Sequence, residues 1–80
     1  MIYYFEKDSR FYILELTKDL FGKCCITKTW GSLKTNWQRS AEIELSSNED
    51  PRQVILKLVS KRIARGYRLR EGRLGSGSKV

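Results

Sequence analysis

One helix-forming segment in the second half of the chain most constrains its fold. Asp50 suits the cap position before a helix, Pro51 suits the first helical turn, and Gly66 is the residue type that most often follows a helix end. Apolar residues recur between these ends at helical intervals, at Val54, Ile55, Leu58, Val59 and Ile63. A single amphipathic helix needs one apolar surface to cover, and a β-sheet with one buried face supplies it.

The residues before this helix alternate as β-strands do. The clearest run is 38–45, in which Ala41, Ile43 and Leu45 share one face while polar residues occupy the other. Three earlier runs, 2–5, 10–17 and 23–30, have aromatic and β-branched residues and are separated by polar or glycine-containing turns. The sequence therefore predicts an α+β domain over residues 1–70, with a four-stranded antiparallel sheet and one helix packed across one face. The Gly/Ser-rich residues 71–80 are predicted to form a flexible basic tail.

The positive charge of the chain is concentrated in its second half. The net charge is +7, yet residues 1–50 contain seven Lys/Arg against eight Asp/Glu, whereas residues 51–80 contain nine against one. A basic surface attracts a polyanion, most simply nucleic acid, because binding releases the counterions of the phosphates. The alternative is a solvated charged face that keeps a small protein soluble.

The residue types present argue against an enzyme, a cofactor site or a metal site. The chain has no histidine, so neither a Ser-His-Asp nor a Cys-His catalytic arrangement can form. Adjacent cysteines Cys24 and Cys25 point to opposite faces of a strand, which prevents a normal disulfide between them. With no histidine and no second pair of cysteines, a zinc site lacks ligands. We therefore expect no catalytic residues, no cofactor and no metal.

The first residues and the hydropathy pattern predict a cytoplasmic protein. The chain opens with Met1-Ile2-Tyr3-Tyr4, without a basic leader followed by an apolar stretch. Its apolar runs are all shorter than the ~20 residues of a membrane-spanning helix. We therefore expect neither secretion nor a membrane partner.

Both tryptophans flank a turn that carries cations, and this turn is the candidate binding site. Trp30 ends one predicted strand and Trp37 opens the next, while Gly31 allows a bend or a close approach of another backbone. Trp30 could lie against a base or sugar, or it could be a core aromatic residue. Trp37 is expected to be structural and to lie in the core. The cations expected to contact phosphates are Lys28, Lys34 and Arg39.

The order of these features resembles that of a known module. An aromatic strand at 11–16 precedes the triplet Trp30-Gly31-Ser32, and the predicted helix closes with Arg65-Gly66-Tyr67. This ordered set resembles the WGR domain, which is named for Trp-Gly-Arg and occurs in DNA-damage-responsive poly(ADP-ribose) polymerases and in many bacterial proteins. The chain departs from the pattern by having Ser32 in place of the arginine and Lys34 where a second glycine is usual.

The resemblance implies a function and roles for particular residues. It implies a nucleic-acid-binding module, with DNA favoured over RNA, in which the signature tryptophan packs against a nucleotide. That role passes to Trp30, with Gly31 beside it, whereas the role of the family arginine does not pass to Ser32. Gly66 is expected to be structural, as the residue that stops the helix, and the residues from Tyr67 to Leu69 could add a short strand or pack an aromatic side chain against the domain.

A second function of a different class is protein docking without nucleic-acid binding. Leu20 and Phe21 lie in the turn between the second and third predicted strands, where an apolar pair is exposed. Together with the basic helix face, they could bind a protein partner. Strong salt dependence of binding would favour nucleic acid over this alternative.

Overall fold

The computed structural model describes residues 1–73, with side chains described through residue 70. Its elements are β1 (Ile2–Lys7), β2 (Arg10–Lys18), β3 (Cys24–Ser32), β4 (Gln38–Glu44), α1 (Pro51–Ala64) and β5 (Arg68–Arg73). They form one sheet in the order β4-β3-β2-β1-β5. The α+β class with one helix is confirmed, and all the strand pairs are antiparallel.

The prediction of four strands was wrong, because a fifth strand follows the helix. β5 pairs with β1, with Arg68 opposite Glu6 and Arg73 opposite Ile2, and an irregularity shifts the register between Tyr4 and Phe5. The segment is rich in charge and contains a glycine, so it lacks the alternation that marks a strand in sequence. β5 forms because the open edge of β1 supplies backbone hydrogen bonds. The residue types of β5 do not predict this pairing. β5 passes the predicted boundary at residue 70, and the predicted tail from residue 74 onward lies outside the described residues.

The helix begins and ends where its capping residues predict. The Asp50 side chain accepts a hydrogen bond from the Arg52 N–H at 3.1 Å, and Pro51 is the first helical residue. Gly66 adopts a φ of 94°, which an L-residue with a side chain resists. The Tyr67 N–H then donates to the Arg62 carbonyl at 3.1 Å, which is the hydrogen bond of a Schellman motif. Gly66 therefore ends the helix in the left-handed conformation.

The core lies between α1 and one face of the sheet. Phe5 of β1, Leu14 of β2 and Ile26 of β3 are fully buried against Ile55 of the helix. They share one face because alternate residues of a strand point to the same side. In the described part of the chain, no helix is long and apolar enough to cross a membrane.

Two turns at opposite ends of β3 define the two ends of the molecule. The β2–β3 turn, residues 19–23, lies at the end where β4 stops and the helix begins. The β3–β4 turn, residues 33–37, lies at the end where the helix stops, and its Leu33 N–H donates to the Ser9 carbonyl at 2.7 Å. Nine strand residues at about 3.3 Å each separate the two turns by roughly 30 Å.

Candidate nucleic-acid interface

Trp30 lies on the helix side of the sheet and supports the core from one end. It sits opposite Tyr12 on β2 and opposite Arg39 on β4. Its ring stacks on the Tyr12 ring with centroids 6.0 Å apart and planes inclined by 18°. The side chain is partly buried and packs against the core cluster. The Trp30 side chain is therefore packed against the core and also partly exposed to solvent.

Residue 31 must be glycine because the backbone at the start of β4 approaches it closely. This is the second of the two roles that its position suggested. A Cβ atom there would lie 2.5 Å from the Trp37 carbonyl oxygen and 2.9 Å from the Gln38 Cα. Both are backbone atoms, so no side-chain rotation could make room. The Ser32 N–H donates to the same Trp37 carbonyl at 3.0 Å, which closes the turn. Gly31 thus fixes where Trp37 leaves the sheet.

The expectation that Trp37 lies in the core was wrong. Its side chain is 52% exposed, because β4 begins only at Gln38 and Trp37 belongs to the turn. Strand alternation therefore does not decide its orientation. The Thr35 hydroxyl accepts a hydrogen bond from the Trp37 N–H at 3.2 Å, and the Arg39 guanidinium lies 5.7 Å from the indole centroid. Trp37 is the more accessible of the two tryptophans.

Two of the three predicted cations share the face of Trp30. Lys28 precedes Trp30 by two residues on β3, and Arg39 is its direct partner on β4, so alternation puts all three on one side. Lys28 is partly buried and Arg39 is exposed. Lys34 is exposed in the turn itself, where its N–H donates to the Ser32 hydroxyl at 3.1 Å. The fold therefore brings Trp30, Gly31, Lys34 and Arg39 to one end of β3 and β4, and Lys28 lies at the middle of β3.

Comparison with known proteins identifies a family for this chain. The model of the WGR domain family matches residues 4–73, which is most of the chain. The chain belongs to the WGR domain family. It is also 31% identical, over 62 residues, to the uncharacterized protein y4dW of Sinorhizobium fredii (strain NBRC 101917 / NGR234). The match covers 78% of this chain and 30% of that relative, so the chain spans less than a third of the relative's length. No solved structure matches the chain.

Behind the signature tryptophan of this WGR domain, a cation is held between two tyrosines. The Arg62 guanidinium lies 4.4 Å from the Tyr12 ring centroid and 5.5 Å from that of Tyr67, and the two rings meet edge to face at 5.8 Å. Burial raises the pKa of Tyr12 above its ordinary value, and the charge of Arg62 opposes this effect. The contacts of Tyr67 with Arg62 and Tyr12 join the end of the helix to β2. This contact explains how Tyr67 can hold the structural role predicted for it.

A groove of about 460 Å³ opens beside the two tryptophans of the WGR domain. Its lining consists of Ser9, Arg10, Phe11, Trp30, Gly31, Ser32, Trp37 and Tyr67. Sequence reasoning missed Arg10 and Phe11, because they belong to β2 and reach the site only through its pairing with β3. The signal that could have found them is the aromatic start of β2, which antiparallel pairing brings to the far end of β3.

The groove is suited to flat and anionic ligands. It has four aromatic residues and one cation in its lining, and Arg39 lies at its edge over Trp37. Among the described residues, no group of three or more His, Cys, Asp or Glu side chains is arranged to hold a metal ion. The arrangement can therefore offer stacking surfaces and positive charge, which are the two elements of nucleotide recognition.

Proposed function

We propose that this WGR domain binds nucleic acid, DNA in preference to RNA, through the end of the sheet that carries both tryptophans. The observation that carries the proposal is the β3–β4 register, which sets Arg39 opposite Trp30 with Lys28 two residues away on the same face. An aromatic ring with cations at this spacing can contact a base or sugar and the phosphates beside it. The preference for DNA rests on the family resemblance.

In this proposal, the residues have distinct roles. The accessible part of Trp30 and the exposed ring of Trp37 contact a base or sugar, while Lys28, Lys34 and Arg39 contact phosphates. Gly31 holds β4 close to β3 and so sets the position of Trp37. The acidic side chains Glu42 and Glu44 lie farther along β4. Their negative charges repel phosphates, which restricts phosphate contacts to the tryptophan end.

A titration of labelled oligonucleotides across a salt series tests the proposal. The probes are blunt duplex, nicked duplex and single-stranded DNA, together with single-stranded RNA of the same sequence. If three cations meet phosphates of duplex DNA, log affinity falls against log salt with a slope of about −2.7. Affinity that does not change with salt, or that is equal for all probes and for a neutral polymer, would sink the proposal.

Variants at matched positions separate this site from general positive charge. Arg39→Gln should weaken binding, whereas Lys23→Gln, which removes a cation at the other end of β3, should leave it nearly unchanged. Both residues are exposed, so both variants should melt like the parent protein. Equal losses for the two variants would mean that net charge, rather than this surface, drives binding.

A further inference from the structure

The β2–β3 turn presents two large apolar side chains to solvent on a well-held backbone. Leu20 is 99% exposed and Phe21 is 90% exposed. One oxygen of the Asp19 carboxylate accepts hydrogen bonds from the Phe21 and Lys23 N–H groups, both at 2.9 Å. Gly22 takes the φ of 82° that the turn requires. The pair is therefore displayed by a preorganised turn, which lowers the entropy lost when a partner binds.

A concave surface lies directly beside this pair. It has a volume of about 690 Å³, and its lining includes Phe21, Lys23, Cys24, Glu44, Leu45 and Glu49. This groove is larger than the one beside the tryptophans, and it lies at the opposite end of β3. A concave site of this size next to two protruding apolar residues fits a peptide segment better than a flat protein surface.

The charge around the groove is opposite to that of the whole chain. Glu44 at the end of β4 lines the groove, and Asp19 belongs to the turn that carries Leu20 and Phe21. Glu49 lines the same groove, and Lys23 is paired with Glu44 at 3.8 Å. Such a surface repels phosphates and anionic lipid headgroups and attracts cationic groups.

We propose that Leu20, Phe21 and the adjoining acidic groove form a docking site for a protein segment that carries apolar anchor residues flanked by Lys or Arg. The apolar pair supplies the buried contact, and the carboxylates select for positive charge. The site is independent of the tryptophan end, so the domain can hold such a partner while its other end is occupied. The proposed partner is a polypeptide rather than a nucleic acid, a membrane or a second copy of this chain.

Selection from a random phage-displayed 12-residue peptide library tests the chemistry of the partner. The library is panned on the immobilised full chain after removal of phage that bind the Leu20→Ser/Phe21→Ser double variant. We expect enrichment of peptides that combine two large apolar residues with Lys or Arg. Failure to enrich any sequence over the double variant, or enrichment of acidic peptides, would overturn the proposal.

Binding of a selected synthetic peptide, measured by fluorescence anisotropy, gives the second test. Phe21→Ser should weaken binding about tenfold or more through loss of a buried aromatic contact, and Glu44→Gln should weaken it about two- to fivefold. The matched control is Leu33→Ser, because Leu33 is 49% exposed in the other turn and should have no effect. Equal peptide binding by parent protein and Phe21→Ser would contradict the docking site.

Three further measurements on the parent and double variant distinguish folding and other occupants. Their melting temperatures should agree, since the replaced side chains are exposed, and their affinities for oligonucleotides should also agree. Sedimentation equilibrium should show a monomer, and flotation should show no binding to phosphatidylcholine/phosphatidylserine vesicles. Self-association or vesicle binding that depends on Leu20 and Phe21 would assign the surface to another occupant and overturn the proposal.

Discussion

The two turns that β3 connects present different chemistry to solvent. The β3–β4 turn combines the exposed Trp37 with Lys34 and nearby Arg39, whereas the β2–β3 turn combines exposed Leu20 and Phe21 with carboxylates. We therefore propose a polyanion as the ligand of one end and a cationic apolar segment as the ligand of the other. The net charge of +7 therefore describes neither end. The surface around each exposed ring decides what that ring can meet.

The turns also differ in how their glycines are used. Gly31 is buried and has backbone atoms where a Cβ would lie, whereas Gly22 has a positive φ and open space around it. The first glycine is needed for close approach of two strands and the second for the direction of the backbone. The tryptophan end is thus tightly packed, and the apolar turn is held by hydrogen bonds to Asp19.

The largest expected effect comes from exchanging these glycines for alanine. Gly31→Ala should lower the free energy of unfolding by about 3 kcal/mol, because the new Cβ overlaps the backbone of Trp37 and Gln38. Gly22→Ala should cost only about 1 kcal/mol, the penalty for a left-handed alanine in open space. Urea unfolding of both variants measures the difference. Equal losses would show that packing at the tryptophan end is no tighter than at the apolar turn.

Exchange of each tryptophan for alanine should show that the two rings differ in their contribution to stability. Trp30→Ala should lower the free energy of unfolding by about 2 kcal/mol, less than a fully buried tryptophan would, because its ring is partly buried against Tyr12. Trp37→Ala should change it by less than about 0.5 kcal/mol while reducing oligonucleotide affinity by about 1 to 3 kcal/mol. Thermal melts and anisotropy titrations of the same preparations provide both values. A folded Trp37→Ala protein with normal binding would remove Trp37 from the site.

Removal of single cations should give a smaller, purely electrostatic effect. Lys34→Ala should lower the slope of log affinity against log salt by about one if Lys34 meets a phosphate. Lys23→Ala serves as the control, since Lys23 lies beside Glu44 at the other end. Neither exposed residue should affect melting. An equal fall of the slope in both variants would show that the two turns contribute equally to electrostatic binding.

The smallest effect concerns the two thiols near the acidic groove. At pH 8, Cys25 should react with iodoacetamide more slowly than Cys24, because Cys25 is buried and its raised pKa leaves less thiolate. Its rate should rise as pH increases toward that pKa. Glu44→Gln should speed the reaction of Cys25 by a small factor, since one of the charges that raise the pKa is removed. Mass spectrometry of timed samples follows each cysteine, and an unchanged Cys25 rate would show that Glu44 does not act on it.

Sequence patterns predicted the parts of the fold that depend on local chemistry. Asp50, Pro51 and Gly66 mark the helix ends because capping uses the backbone groups of immediate neighbours. Alternation along β3 predicted that Trp30 and Lys28 share a face, and alternation along β4 predicted the same for Arg39 and Ala41. The register of the two strands agrees with both. The resemblance to the WGR family was visible in the sequence, because it depends on the order of the motifs along the chain.

Tertiary structure decided the features that depend on which strands meet. β5 forms because β1 offers an open edge, and Arg10 and Phe11 join the groove because β2 pairs with β3. The position of Trp37 depends on where β4 begins, a boundary set by its contact with Gly31 rather than by its own residue type. Sequence by itself therefore determined the first four strands, the helix with its capping residues and the chemistry available at each turn. Only the fold decided which side chains meet, because strand pairing joins residues that are distant along the chain and packing fixes which of them stay exposed.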